Sequence, residues 1–83
     1  MKTRTIKHSL AGPDVRVPID CENTIEVAAG ILARRMYGHR KGVVRALRFE
    51  TWSQRDDSYV HQAFIGRANK DGSCTGRNVW IYS

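Results

Sequence analysis

The sequence predicts an α+β domain in which one helix packs on an antiparallel sheet of about five strands, in the order ββαβββ. Three observations lead to this prediction. Only one segment repeats its apolar residues at helical spacing, the remaining apolar residues alternate with polar ones, and turn residues separate these segments. The chain of 83 residues has the length of one small domain, so residues 1–83 are predicted to form a single domain.

Two short strands are predicted before the helix. Residues 3–10 alternate, with Ile6 among the side chains of one face, and residues 11–14 form a Gly-Pro turn. Residues 15–20 alternate again. Pro18 has no amide hydrogen for a ladder, so this second strand is expected at an edge of the sheet.

The helix is predicted from residue 24 to residue 37. Asn23 is expected to cap its first turn, with Glu26 reciprocating, and Gly38 to end it in a left-handed conformation. Its apolar stripe consists of Ile25, Ala28, Ala29, Leu32, Ala33 and Met36. Such a stripe has to be buried, so the helix should cover one face of the sheet.

Three antiparallel strands are predicted after the helix, at residues 43–53, 59–68 and 79–82. Turns are expected at residues 55–58 and 69–73, and the second turn should continue as a loose loop through Gly76.

Composition excludes several classes of protein. No apolar run approaches the roughly 20 residues of a membrane span, and the first residues lack the apolar stretch of a signal peptide. Cys21 and Cys74 are too few for a disulfide scaffold, so a reducing cytoplasm is expected. Membrane, secreted disulfide-rich and multidomain-enzyme classes are thereby disfavoured.

The positive charge is local. Fourteen Lys and Arg residues against eight acids give a net charge of +6, and no acid occurs between Val27 and Phe49. That segment holds Arg34, Arg35, Arg40, Lys41, Arg45 and Arg48. A concentrated basic patch of this kind binds phosphate or a carboxylate-rich protein surface, and its preference for Arg suits bidentate contacts.

Several of these residues are expected to contact a partner. Arg34 and Arg35 belong to the last helical turn, where they also complement the helix dipole. Arg45 and Arg48 should lie on opposite faces of a strand unless a bulge intervenes. On a helical wheel, Val27 projects away from the core stripe and Ile31 lies at its margin. The two would form an apolar centre with a basic rim.

Catalytic patterns are weak, and no enzyme and no cofactor are expected. His8, His39 and His61 have no metal-ligand spacing to one another or to either cysteine. Cys74 is expected in a flexible loop with no base tied to it. Asp56 and Asp57 are expected to lie solvent-exposed in a hairpin turn. No phosphate-binding glycine motif occurs in the sequence. Tyr37 and Trp52 are the aromatic candidates for stacking on bases.

The helix and the following strand resemble small phage-encoded anti-CRISPR proteins that inhibit type I surveillance complexes. The matching pattern is an Ala-rich helix that ends in basic residues, followed by a Gly–β-branched strand start and a hairpin. It consists here of Ile25, Ala28, Leu32, Ala33, Arg34 and Arg35, then Gly42-Val43-Val44 and Arg48-Phe49-Glu50-Thr51. It covers roughly residues 19–65 and leaves out the N-terminal hairpin and the Cys74 loop.

The resemblance implies an inhibitor that binds the repeated backbone subunit of a type I CRISPR complex and prevents target DNA from pairing with the guide. The contact would fall on Arg34 and Arg35 and, by adjacency, on Arg40 and Lys41. A charge of +6 departs from the acidic members that mimic DNA, so steric blocking is expected rather than mimicry. The protein would act in the cytoplasm of a bacterial host, as a monomer or homodimer, with non-specific DNA binding as an accompanying property.

Two alternatives from other classes stay open. One is a small basic nucleic-acid-binding module, whose affinity would fall steeply with salt. The other is an RNA-cleaving toxin that uses His61 or Cys74.

Overall fold

A computed structural model describes residues 2–38 and 42–82. The elements are β1 (Thr3–His8), β2 (Val15–Pro18), α1 (Thr24–Tyr37), β3 (Val43–Ser53), β4 (Ser58–Ala68) and β5 (Cys74–Tyr82). The predicted ββαβββ order is therefore confirmed. The bounds of α1 and β3 agree with the prediction, whereas β1 and β2 each end two residues earlier than predicted.

The five strands form one antiparallel sheet in the spatial order β2-β1-β5-β4-β3. β5 therefore lies in the middle of the sheet, between the first strand and the meander formed by β3 and β4. β2 is an edge strand and ends at Pro18, as the missing amide hydrogen predicts. β3 is the other edge.

The core lies between α1 and one face of the sheet. The helix contributes Ala28, Ala29, Leu32 and Ala33. The sheet contributes Ile6, Val15, Val17, Ala63, Ile65, Val79 and Ile81. We call this the helix-facing side and the opposite side the open face. Since the described part of the chain has one helix, no helix of that part covers the open face.

The sequence predicts where α1 ends, but it does not predict correctly how the first turn of α1 is capped. Gly38 ends the helix as predicted and has a positive φ of 67°, but its ψ of −137° lies outside the left-handed helical conformation expected of it. Its amide donates to the Arg34 carbonyl at 2.7 Å. The predicted Asn23 cap is wrong, because its side chain makes no capping hydrogen bond. Its backbone, at φ −100° and ψ 45°, departs from the extended conformation typical of capping residues. Instead, the Thr24 hydroxyl donates to the Cys21 carbonyl at 3.0 Å.

The predicted loose loop before the last strand is also wrong. β5 begins at Cys74, which pairs with Ala68, and Gly76 lies directly opposite Gly66. A Cβ atom at Gly76 would lie 2.9 Å from the carbonyl carbon of Ile65, so only glycine permits this close approach of the two strands. Because residues 74–78 are polar and exposed, no apolar alternation marks them as a strand.

Candidate functional site

Four arginines collect where β3 and β5 begin and β4 ends. Arg45 and Arg77 are both cross-strand partners of Ile65, so the three side chains share the helix-facing side. Arg67 lies on the same side two residues further along β4, opposite Val43. Arg34 is exposed in the last turn of α1. We call Arg34, Arg45, Arg67 and Arg77 the basic end.

Arg45 connects the sheet to the helix within this surface. A methyl group at Gly30 would lie 3.6 Å from the Arg45 guanidinium carbon, so this side chain runs along the helix. Arg34 follows Gly30 by four residues and is therefore on the same side of α1, one turn further on. The fold thus brings together two arginines that are eleven positions apart, one in the last turn of α1 and one near the start of β3.

Several carboxylates lie toward the opposite end of the molecule. Glu50 and Asp56 are near the end of β3 and Glu22 precedes α1, whereas Glu26, in the first turn of α1, lines a groove together with Arg45. At the basic end, the turn that leads into β5 holds Asp71, whose oxygen accepts hydrogen bonds from the Ser73 hydroxyl and amide. Across residues 2–38 and 42–82, no Arg or Lys nitrogen lies within 4.0 Å of a carboxylate oxygen. The charges of the basic end are therefore uncompensated within the described chain.

Arg35 has a structural contact that Arg34 lacks. Its guanidinium donates to the carbonyls of Pro13 at 2.5 Å and Asp14 at 3.4 Å, in the turn between β1 and β2. The Nε2 atom of His8 hydrogen-bonds the same Pro13 carbonyl at 2.9 Å. Arg35 therefore ties the end of the helix to the N-terminal hairpin.

We expect Arg35→Ala to lower the free energy of unfolding by about 1 kcal/mol, because it removes these hydrogen bonds. For a domain of this size, that is a fall of roughly 4–8 °C in the midpoint of thermal unfolding. Arg34→Ala is the matched control, since it removes a charge from the same helical turn but no contact with the hairpin. Equal melting temperatures for the two variants would contradict a structural role for Arg35.

The remaining predicted contact residues are dispersed. Arg40 and Lys41 lie outside the described residues. Arg48 is on the open face, separated from Arg45 by the sheet. The prediction that Val27 faces solvent is wrong, because Val27 and Ile31 are both half-buried and pack against the core. The buried stripe of α1 is mostly alanine, so the helix lies close to the sheet and its flanks are covered as well.

The open face carries a cluster of aromatic rings. Phe49 and Trp80 are the two cross-strand partners of Gln62, and their ring centroids are 6.0 Å apart in an edge-to-face arrangement. Phe64 follows on β4, and the Arg48 guanidinium carbon lies 5.4 Å from the centre of its ring. A bulge between Leu47 and Phe49 shifts the register of β3 and turns Phe49 onto this face.

No sequence pattern indicates that these rings lie together. The aromatic residues predicted to stack on bases were Tyr37 and Trp52 instead. Tyr37 is half-buried and packs against the core. Trp52 packs edge-to-face on Tyr59 at 5.0 Å, and this pair lies on the helix-facing side. The alternation of β4 already placed Phe64 opposite Ile65, but the bulge that adds Phe49 has no sequence signal.

The residues considered for catalysis are not brought together. His61 pairs with Ile81 on the helix-facing side, whereas Cys74 lies on the open face at the other end of β5. Seven residues of strand separate positions 74 and 81, which is about 23 Å. Asp56 accepts a hydrogen bond from the Ser53 hydroxyl at 2.9 Å in the β3–β4 turn. Among the described residues, no group of three His, Cys, Asp or Glu side chains could hold a metal ion.

His61 is mostly buried and lies beside Glu50, with 3.4 Å between Nδ1 and Oε2. Burial lowers the pKa of His61 below 6.5, and the Glu50 carboxylate opposes that shift. A lowered pKa in the folded state favours the neutral ring. The stabilisation from His61 is therefore full above pH 6.5 and is lost as the pH falls through the lowered pKa.

We expect Glu50→Gln to lower the pKa of His61 further, because it removes the charge that favours the imidazolium. A titration of the His61 ring proton resonances by NMR measures the shift directly. A pKa that rises in Glu50→Gln would contradict the assigned balance between burial and charge.

The fold and its surfaces define a two-layer α+β domain with a basic end and an aromatic open face. A scan of protein-family models, a search of curated proteins and a search of solved structures each find no match. In the described part of the chain, no helix has the length and apolar character needed to cross a membrane.

Proposed function

We propose that the protein is a non-enzymatic inhibitor of a type I CRISPR surveillance complex, acting in the cytoplasm of a bacterial host. It binds the RNA-guided complex through the basic end, at the repeated backbone subunit, and blocks access of target DNA to the guide. The observation that carries the binding proposal is the group of exposed arginines without carboxylate partners within the described chain. The sequence resemblance over residues 19–65 supplies the identity of the partner.

The geometry supports contact with an acidic surface. Arg34 is in the last turn of α1, and Arg45 and Arg77 are on the helix-facing side of the sheet at the same end, so a single carboxylate-rich surface can contact all three. Guanidinium groups form bidentate hydrogen bonds with carboxylates, which fixes the orientation of the partner as well as its affinity. Charges of this kind also accelerate association, so the rate of binding should fall with salt.

Steric blocking agrees better with these charges than mimicry of DNA does. A mimic of duplex phosphates presents carboxylates, whereas this protein carries a net charge of +6 and the exposed arginines of its basic end form no ion pair with a carboxylate of the described chain. The inhibitor therefore acts by covering an acidic region of the complex on the path of the DNA.

Binding to purified, guide-loaded type I complexes of several subtypes, measured by co-elution in size-exclusion chromatography, tests the proposal. We expect the wild-type protein to co-elute with one complex and to abolish its binding of labelled target DNA. The double variant Arg34→Glu/Arg45→Glu should weaken the association by at least about 30-fold, because reversed charges leave buried acidic partners unpaired.

Arg4→Glu/Arg55→Glu is the matched control. Both residues are exposed at the end away from the basic surface, and each reversal removes two charge units, so both double variants fall from +6 to +2. The control should inhibit like the wild type. Equal losses in the two double variants would show an effect of net charge and contradict the site.

The basic end also favours a second candidate function, the binding of duplex DNA. Arginines without carboxylate partners can pair with phosphates as readily as they pair with carboxylates. If each of the four arginines neutralises one phosphate, the logarithm of the binding constant would fall by about 3.6 per tenfold increase in salt concentration. Co-elution of the protein with duplex DNA, and with none of the complexes, would assign the basic end to nucleic acid instead of protein.

A further inference from the structure

We propose that the open face binds single-stranded nucleic acid by stacking bases on Phe49, Phe64 and Trp80. This site is separate from the basic end and does not depend on the proposed inhibition. Its residues come from three neighbouring strands, and the sheet places them on the side opposite α1.

Two of the three rings are exposed to solvent, and the half-buried Phe64 lies beside them under the Arg48 guanidinium. Phe49 is 51% exposed and Trp80 is 36% exposed, although both belong to the central part of a strand pair. Burying rings of this size against a partner is favourable, and leaving them in water has a cost. Next to them, Gln62 and Asn78 offer amide groups that can form hydrogen bonds with the edges of bases.

The charges of the open face are complementary to a phosphate backbone. Arg48 lies over the Phe64 ring. Lys7, the partner of Tyr82, and Arg16, the partner of Thr5, place two further cations on the same face. The strand registers place no Asp or Glu among the described residues of this face. Cations beside exposed rings are the combination that single-stranded nucleic acid requires.

The same features favour a single strand over other occupants. In a duplex the bases are already stacked on each other, so exposed rings on a sheet have nothing to stack against. A second copy of this chain would bring like charges together, because the strands carry cations and no Asp or Glu on this face, and the nearest carboxylates, Asp14 and Asp56, lie in turns at its edge. A single strand supplies both free bases and phosphates.

Fluorescence anisotropy with a fluorescein-labelled dT15 oligonucleotide tests the proposal, with a labelled duplex of the same length as the comparison. In 50 mM salt, we expect the full-length protein to bind dT15 more tightly than the duplex. Phe49→Ala should weaken dT15 binding by roughly 5- to 100-fold, as expected for loss of one stacking ring. Trp52→Ala is the matched control, since Trp52 is also 51% exposed on β3 but lies on the other side of the sheet.

Two further measurements keep the test independent of folding. Arg48→Ala should reduce the salt dependence by about 0.7 log units per tenfold change in salt, which corresponds to one phosphate contact on a single strand. In Trp52→Phe, Trp80 is the single tryptophan that remains, and dT15 should quench its fluorescence. Circular dichroism of each variant checks that the fold is retained.

Three outcomes would overturn the proposal. The first is no binding of dT15 at 50 mM salt. The second is an equal loss of affinity in Phe49→Ala and Trp52→Ala. The third is a change from dimer to monomer in Phe49→Ala, measured by light scattering, which would assign the open face to a second copy of the chain.

Discussion

Gly76→Ala is expected to destabilise the protein by about 3 kcal/mol, at the upper end of the costs of overpacking. The new methyl group would press on the backbone of Ile65 and Gly66 across the strand pair. Neither backbone can rotate away as a flexible side chain could, so β5 has to separate from β4. Because β5 is central in the sheet, this separation also weakens the attachment of β1. Urea denaturation followed by circular dichroism measures the loss.

Gly30→Ala is the control for this prediction and should have the opposite sign. Gly30 is inside α1, and a methyl group there meets only the Arg45 guanidinium at ordinary contact distances of 3.6–3.7 Å. Alanine is a better helix former than glycine, so this variant should gain about 0.5–1 kcal/mol. If Gly76→Ala retained wild-type stability, the close approach of β4 and β5 would be contradicted.

Leu32→Ala is expected to lower the free energy of unfolding by about 2–5 kcal/mol. Leu32 is 1% exposed and is the largest fully buried side chain of α1, whose other buried residues are all alanines. Domains of this kind have a total stability of only about 5–15 kcal/mol, so the loss is a large fraction of it. The midpoint of urea unfolding should fall accordingly, with little change in the slope of the transition.

Leu47→Ala removes the same atoms from a position on β3 that is 47% exposed. We expect a change within about 0.5 kcal/mol, as is usual for surface substitutions. A comparable loss in both leucine variants would contradict the assignment of Leu32 to the core and of Leu47 to the exposed margin of the helix-facing side.

The elements that the sequence predicted well are those with strong local signals. The apolar stripe and Gly38 define α1, and the alternation in β4 places Ala63 and Ile65 toward the helix. β5 was predicted too short because its first residues are polar, and their strand conformation depends on Gly66 across the sheet. A cross-strand contact of this kind has no trace in a local pattern.

The binding surfaces show the same division. The sequence identified Arg34 and Arg45 through the acid-free segment, but it did not connect them with Arg67 and Arg77. Those two arginines lie outside the acid-free segment, and each is the single Arg or Lys of its strand. Arg45 and Arg48 lie on opposite faces, as expected for regular pairing, although a bulge follows Leu47. The sequence specifies where the arginines are along the chain, whereas strand register decides which of them lie next to one another.

The sequence by itself determined the order and type of the elements, the edge position of β2 and the local excess of positive charge, because these follow from spacing of three or four residues and from composition. Only the tertiary structure decided the position of β5 at the centre of the sheet, the bulge that exposes Phe49 and the grouping of four arginines at one end. Each of these depends on pairing between strands that are distant in the chain, and the free energy of such pairing comes from partners that no local segment contains.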